Sequence, residues 1–375
     1  MKRTRTGLSG HRAFLRTLLI AAFAVFAFGA AWTGSPDLTM SPVQAQEGGN
    51  VPGNVLGNMS DTEFWRAIRR GVEGSVSIPD KKAGVLVQSE GDNWRAFRNG
   101  PLSNIGGWAL LGVFIVLGVF YVLRGKIRVE GGLSGRTVER FNALERFSHW
   151  LTASSFVVLG LTGLNVLYGR YVLLPLIGKD AFAALTYWGK IAHNYIGFAF
   201  IAGVILMFLL FVKDNIPSRT DLRWLAMGGG MFSKGVHPPS ERINAGQKIL
   251  FWLVILGGLS VFLTGLSLMF PFSISLFEGT FAALNVFGFG LPTDLTMLQE
   301  TQLAQVWHAV IALGLIILII AHIYLGTLGM EGAFDAMYTG KVDENWAREH
   351  HNEWAKDIGL GGSHGSSPSE NAPAE

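Results

Sequence analysis

Apolar positions along this chain gather into long blocks instead of alternating with polar ones. Five blocks, near 104–123, 147–168, 190–212, 248–270 and 304–327, reach or approach the ~20 residues a helix needs to cross a bilayer core of roughly 30 Å. Segments bearing Pro, Gly and charge separate them. The pattern predicts an all-α integral membrane fold of five transmembrane helices, four of them within 147–327 and one additional N-terminal helix at 104–123. A shorter apolar stretch at 17–32 follows Lys2, Arg3, Arg5, Arg12 and Arg16 and precedes small and polar residues and Val43-Gln44-Ala45. That order predicts a signal peptide over 1–45 cleaved after Ala45, with an uncleaved anchor helix as the alternative. Both readings export the polar region 46–103, whose scattered tryptophans, as in Glu63-Phe64-Trp65-Arg66 and Asn93-Trp94-Arg95, reveal no chemistry.

Charge orients the helices. The loop 124–146 carries Arg124, Lys126, Arg128, Arg136, Arg140 and Arg146, and the connection between the third and fourth spans carries Lys213, Arg219, Arg223, Lys234, Arg242 and Lys248. By the positive-inside rule both face the cytoplasm. The segment 271–303 has no Lys or Arg, only Glu278, Asp294 and Glu300, and belongs outside. Alternation puts the loop near 169–189 outside as well and the tail 328–375 in the cytoplasm. The expected location is the bacterial inner membrane, with an exported N-terminal region and a cytoplasmic C-terminus.

Composition narrows the chemistry. An apolar fraction of 49% against 15% charged residues argues against the two or three soluble domains that 375 residues could otherwise form. A formal charge of +3 does not suggest nucleic acid. Cysteine is absent, which excludes iron–sulfur ligation, covalent c-type haem attachment and disulfides. A redox centre here must be held by histidine or without a protein ligand.

Four of the nine histidines fall in or at the rims of apolar spans: His149, His193, His308 and His322. Ionisable groups at such positions are expensive to keep, and each is a candidate functional residue. His308 and His322 are 14 residues apart on one span, which at ~1.5 Å and about 100° per residue puts them roughly 21 Å apart on nearly one face. His193 begins a helix entering from outside, at the depth of His308, and His149 begins a helix leaving the cytoplasm, at the depth of His322. The expected pairs are therefore His193 with His308 and His149 with His322. Two neutral imidazoles from facing helices suit haem iron, filling both axial positions and leaving a six-coordinate electron carrier. Polar packing histidines are the bland alternative. Zinc fits less well, since neither pair has a third and fourth ligand nearby. Gly160, Gly163, Gly197, Gly257, Gly258, Gly265 and Gly314 would admit a flat macrocycle or simply close helix packing. His237, His350 and His351 read as solvated surface positions, and His11 and His364 as terminal ones.

The histidine contexts are joined by Asp214-Asn215-Ile216-Pro217, Asn244-Ala245-Gly246-Gln247-Lys248, Gly340-Lys341-Val342, Trp346-Ala347 and His350-His351. Together these motifs resemble the cytochrome b gamma subunit of membrane-bound formate dehydrogenases, from about 146 to 354. Hydrogenase cytochrome b subunits share the histidine plan but are less similar in the Asn-Ala-Gly-Gln-Lys loop. The resemblance implies a four-helix core binding two haems b, the outer one at His193 and His308 and the inner one at His149 and His322. It also implies a respiratory-chain complex with an iron–sulfur subunit and a molybdenum- or tungsten-containing catalytic subunit, this chain performing no formate chemistry itself. The segment before about 124 has no counterpart in that plan.

The resemblance further implies a quinone acceptor at Asn244, Gly246, Gln247 and Lys248 beside the inner haem. The amide groups there can hydrogen-bond a quinone carbonyl, and the glycine lets backbone come close. A plain helix start with Asn244 as its cap is the structural alternative. The rival functions are the cytochrome b of a hydrogenase or another membrane oxidoreductase and, in a different class, a transporter or anchor without haem.

Overall fold

A computed structural model describes residues 91–360 except 234 and 272. The signal or anchor segment 1–45 and most of the exported region lie outside the described residues. Among the described residues five helices are long and apolar enough to span a membrane, as the hydropathy pattern predicts. They are α1 (Ser103–Arg124), α2 (Ala143–Val172), α3 (Lys179–Phe211), α4 (Ala245–Met269) and α5 (Met297–Tyr324). The span containing α1 begins at Asn93 and runs through a π-turn at Arg98–Leu102.

The helices run beyond the apolar blocks. α3 starts at Lys179, not near 190, and its 33 residues span about 50 Å at 1.5 Å per residue. Hydropathy reports where lipid ends, whereas hydrogen-bonding signals decide where a helix ends. Gly178, at φ 77°, closes the short turn Leu174–Ile177 and caps α3, and Asp180 sits favourably in its first turn. Reciprocal capping boxes start α2 (Asn142 with Glu145) and α4 (Asn244 with Gln247). α1 ends at Gly125, at φ 70°.

The described residues divide into two compact units, one holding 96–271 and 298–360, the other 91–95 and 273–297. In the second, the helix Phe277–Asn285 packs the rings of Phe277 and Phe281 edge to face, and Asn285 closes a turn by bonding both backbone groups of Leu291 at 2.6 and 2.7 Å.

The first unit contains the bundle. α2 and α3, and then α3 and α4, approach backbone to backbone, whereas α5 meets its neighbours chiefly through side chains. Small residues permit the close approaches: a Cβ on Gly203 would stand 2.6 Å from Thr152 Oγ1 and 3.0 Å from Thr152 N. α1 docks on α2 and α5, where Gly106 lies under Leu313 and Tyr168, and Tyr168 donates to Ser103 O at 2.9 Å.

One end of the bundle is closed by the tail. β1 (Thr137–Glu139) pairs antiparallel with β2 (Lys341–Asp343), and α6 (Ala333–Tyr338), α7 (Glu344–His350) and α8 (Asn352–Asp357) fold around it. Arg140 is the hub, 3% exposed, with its guanidinium 5.0 Å from the Phe141 and Trp346 ring centres. The expectation that His351 is a solvated surface residue is wrong: it is 1% exposed, tilted against Trp346 and hydrogen-bonded on both ring nitrogens. The polar tail misleads because its burial comes from β-pairing with a segment about 200 residues earlier.

Candidate functional site

The bundle brings the four span histidines together as two pairs. The rings of His193 on α3 and His308 on α5 have centres 6.1 Å apart, and those of His149 on α2 and His322 on α5 have centres 6.3 Å apart. α5 thus contributes to both pairs, about 21 Å apart along its axis. A first-row metal–imidazole bond of about 2.0 Å on each side, plus about 1.1 Å from nitrogen to ring centre, requires centres roughly 6.2 Å apart for two rings on one iron. Both observed separations match that requirement. The rings are twisted by 60° and 64°, which a shared axial direction permits.

The surroundings also fit an iron macrocycle. α5 stands off from the backbone of its neighbours, leaving width between the helices. Glycine lies against a ring edge twice: a Cβ on Gly163 would meet His193 Cε1 at 3.7 Å, and one on Gly265 would meet His308 Cε1 at 3.5 Å. At the other pair, His149 Nδ1 is buried with no hydrogen-bond partner. A buried polar nitrogen left in that state is costly.

Two side chains that sequence reasoning overlooked touch these rings. Thr162 Oγ1 on α2 lies 2.8 Å from His193 Nδ1, and Thr264 Oγ1 on α4 lies 3.1 Å from His308 Nδ1. A signal was available: Leu161-Thr162-Gly163-Leu164 and Leu263-Thr264-Gly265-Leu266 are the same four residues in two spans.

The expected quinone-contacting residues gather where α4 begins, at the end closed by the tail. Asn244 Oδ1 accepts from Gln247 N at 2.9 Å, and Gln247 Oε1 accepts from Asn244 N at 3.1 Å and from Arg140 Nη2 at 3.3 Å. Both side-chain carbonyls are therefore committed, and the Asn244 Nδ2 and Gln247 Nε2 groups are the donors outside the box. Gly246 lies under the Trp224 indole, where a Cβ would come within 3.0 Å. Lys248 is 3% exposed and its three donors go to Asp221 at 2.9 Å, Glu241 at 2.8 Å and Ile216 O at 3.2 Å. It braces the connection between α3 and α4 and has no proton left for another acceptor.

Arg242 completes this end, reaching both carboxylate oxygens of Glu145 at 2.9 Å and pairing with Asp214. It ties the start of α2 to the end of α3.

Known proteins are similar to this chain over the bundle. The family model described as prokaryotic cytochrome b561 matches residues 140–340. The formate dehydrogenase cytochrome b556(fdo) subunit of Escherichia coli K12 is 27% identical over 223 residues, covering 59% of this chain and 93% of that protein. The nitrate-inducible formate dehydrogenase cytochrome b556(Fdn) subunit of the same strain is 24% identical over 225 residues, covering 60% and 92%. The formate dehydrogenase cytochrome b556 subunit of Haemophilus influenzae is 24% identical over 215 residues, covering 56% and 79%.

Proposed function

Because the chain belongs to the prokaryotic cytochrome b561 family, we propose that it is the membrane-anchoring dihaem cytochrome b subunit of a formate dehydrogenase complex, carrying electrons from an iron–sulfur partner across the membrane to quinone. It is a multi-pass membrane protein, with five helices long and apolar enough to span a membrane among the described residues. The carrying observation is the pair of facing histidine couples on one shared helix, with ring centres 6.1 and 6.3 Å apart.

A bis-imidazole haem supplies one-electron transfer without opening a coordination position to substrate. The chain's own residues do the rest. His193 and His308 would hold one haem and His149 and His322 the other. The narrow α2–α3 seam keeps those ligands on rigid elements. Basic loops at the tail end favour a cytoplasmic location for that end in the bacterial inner membrane. The His193/His308 end then faces outward, where the iron–sulfur and molybdenum- or tungsten-containing subunits would dock. On this reading quinone is reduced beside His149 and His322, with Asn244 Nδ2 and Gln247 Nε2 donating to its carbonyl and protons drawn from the cytoplasm. Inward electron movement with proton uptake inside makes the reaction electrogenic.

The test is purification of the complex from bacterial membranes, with haem counted per chain and formate-dependent quinone reduction followed. Two haems b per chain, a co-purifying iron–sulfur and formate-oxidising subunit and quinone-linked turnover are expected. No b-type difference spectrum would refute the reading. A co-purifying hydrogenase would keep the haems and replace the partner.

A further inference from the structure

We propose that Thr162 and Thr264 are positioning residues for the His193/His308 haem, fixing the tautomer of both ligands and lowering the potential of that haem alone. The inference rests on the haem-ligand reading above.

Each threonine hydroxyl has one proton, and the helix claims it. Thr162 Oγ1 donates to Val158 O at 2.7 Å, four residues back, and Thr264 Oγ1 donates to Ser260 O at 2.9 Å, also four residues back. With its proton so placed, each oxygen can only accept at the imidazole. His193 Nδ1 and His308 Nδ1 must then carry the ring protons, which leaves the Nε2 lone pair of each ring for iron. The glycine that follows each threonine lies beside the ring edge, where an added Cβ would make ordinary van der Waals contact with Cε1. One Leu-Thr-Gly-Leu unit on α2 seats the ligand from α3, and the other, on α4, seats the ligand from α5. α4 thus acts on a haem to which it gives no ligand.

The other pair is built differently. His149 Nδ1 is buried without a partner, and among the described residues no side chain bonds the ring of His322. An imidazole that donates through its distal N–H is a more basic ligand and favours the oxidised metal. Two such ligands at one end and none at the other bias the His193/His308 haem towards the lower potential. Electrons arriving from an outer partner would then run downhill to the His149/His322 haem.

The test is a redox titration of the intact membrane complex carrying Thr162→Val, Thr264→Val or both, read by optical difference spectra and by electron paramagnetic resonance of the ferric haems. Valine keeps the shape and removes the hydroxyl acceptor, leaving only the Leu159 and Val261 backbone carbonyls beside the two rings. Both haems should remain bound, the midpoint potential of one component should rise, its resonance should change as the ring twist relaxes, and the second component should not move. Thr162→Ser and Thr264→Ser keep the hydroxyl and should behave like the parent. Unmoved potentials and resonances with full haem content would overturn the inference. If valine removes the haem, parent-like Ser variants still support the hydroxyl, and Ser variants that also lose it assign the effect to packing and overturn the inference. The ligand reading is separated by His193→Ala: retention of both haems there would sink the reading and the inference together, whereas loss of one haem beside unmoved threonine variants sinks the inference alone.

Discussion

Arg140 Nη2 lies 2.9 Å from His351 Nε2, and since arginine can only donate, His351 accepts there and carries its proton on Nδ1, which donates to Glu241 O at 2.6 Å. The tail is thus latched to the start of α2 and to the α3–α4 connection by a histidine that works only when neutral. Burial, with the Arg140 charge adding to it, holds His351 well below the usual histidine range.

Tail docking should therefore weaken in mild acid. A histidine in an undocked tail titrates near ~6.5. Its docked form resists the proton, so the stabilisation is complete above that value and is lost as pH falls below it. His350, held down to about 4 by burial first and then by the charges of His237 and Arg140, extends the window in the same direction. Amide exchange or limited proteolysis over 341–360 should be faster at pH 5 than at pH 7.5, and His351→Gln, which can still accept from Arg140, should flatten the difference. Equal rates at both pH values would remove His351 from the latch.

The histidine couples predict which haem each substitution costs. His193→Ala and His308→Ala should deplete one spectral component, and His149→Ala and His322→Ala the other, because an iron held on one side by each helix loses its low-spin coordination when either ring is removed. Haem content with difference spectra checks this. Depletion of the same component by His193→Ala and His149→Ala would overturn the pairing.

Packing of α2 on α3 should be intolerant at one glycine and tolerant at another. A methyl at Gly203 meets backbone atoms of Thr152 that cannot rotate away, whereas one at Gly197 has no atom within 4 Å. Gly203→Ala should cost about 1–3 kcal/mol, as overpacking does, and Gly197→Ala close to none. Thermal unfolding in detergent, followed by loss of the haem spectrum, separates them. Equal melting of the two variants would mean the seam yields.

Hydropathy made the five spans legible, and the depth of each histidine within them was enough to pair His193 with His308 and His149 with His322. Helix ends were less legible because α3 outruns its apolar block at Lys179, where capping at Gly178 rather than lipid sets the boundary. Thr162 and Thr264 were passed over because a threonine in an apolar span ordinarily bonds its own helix. These do so as well, and their second contact exists only once α3 and α5 are placed. His351 was misread because nothing local marks burial; its neighbours Arg140 and Glu241 come from 211 and 110 residues away.

The capping box at α4 sharpens the test of the proposed quinone site. Asn244 and Gln247 spend their side-chain carbonyls on each other's backbone N–H, so a loss of cap and a loss of quinone contact can be separated atom by atom. Asn244→Asp and Gln247→Glu keep an oxygen for the cap, delete the NH2 donor and add a negative charge that the helix N-terminus tolerates. Gln247→Glu also keeps the acceptor for Arg140. If those donors hold a quinone carbonyl, each variant should slow quinone reduction by roughly two- to tenfold, the equivalent of a net hydrogen bond of about 0.5–1.5 kcal/mol, with both haems bound and still reducible by formate. Asn244→Ala should add a stability loss of about 0.5–2 kcal/mol from the missing cap. The measurement is stopped-flow haem reoxidation by quinone beside thermal unfolding of the same samples. Parent reoxidation rates in both Asn244→Asp and Gln247→Glu would leave the box as a helix cap only and move the search for quinone to other groups around His149 and His322.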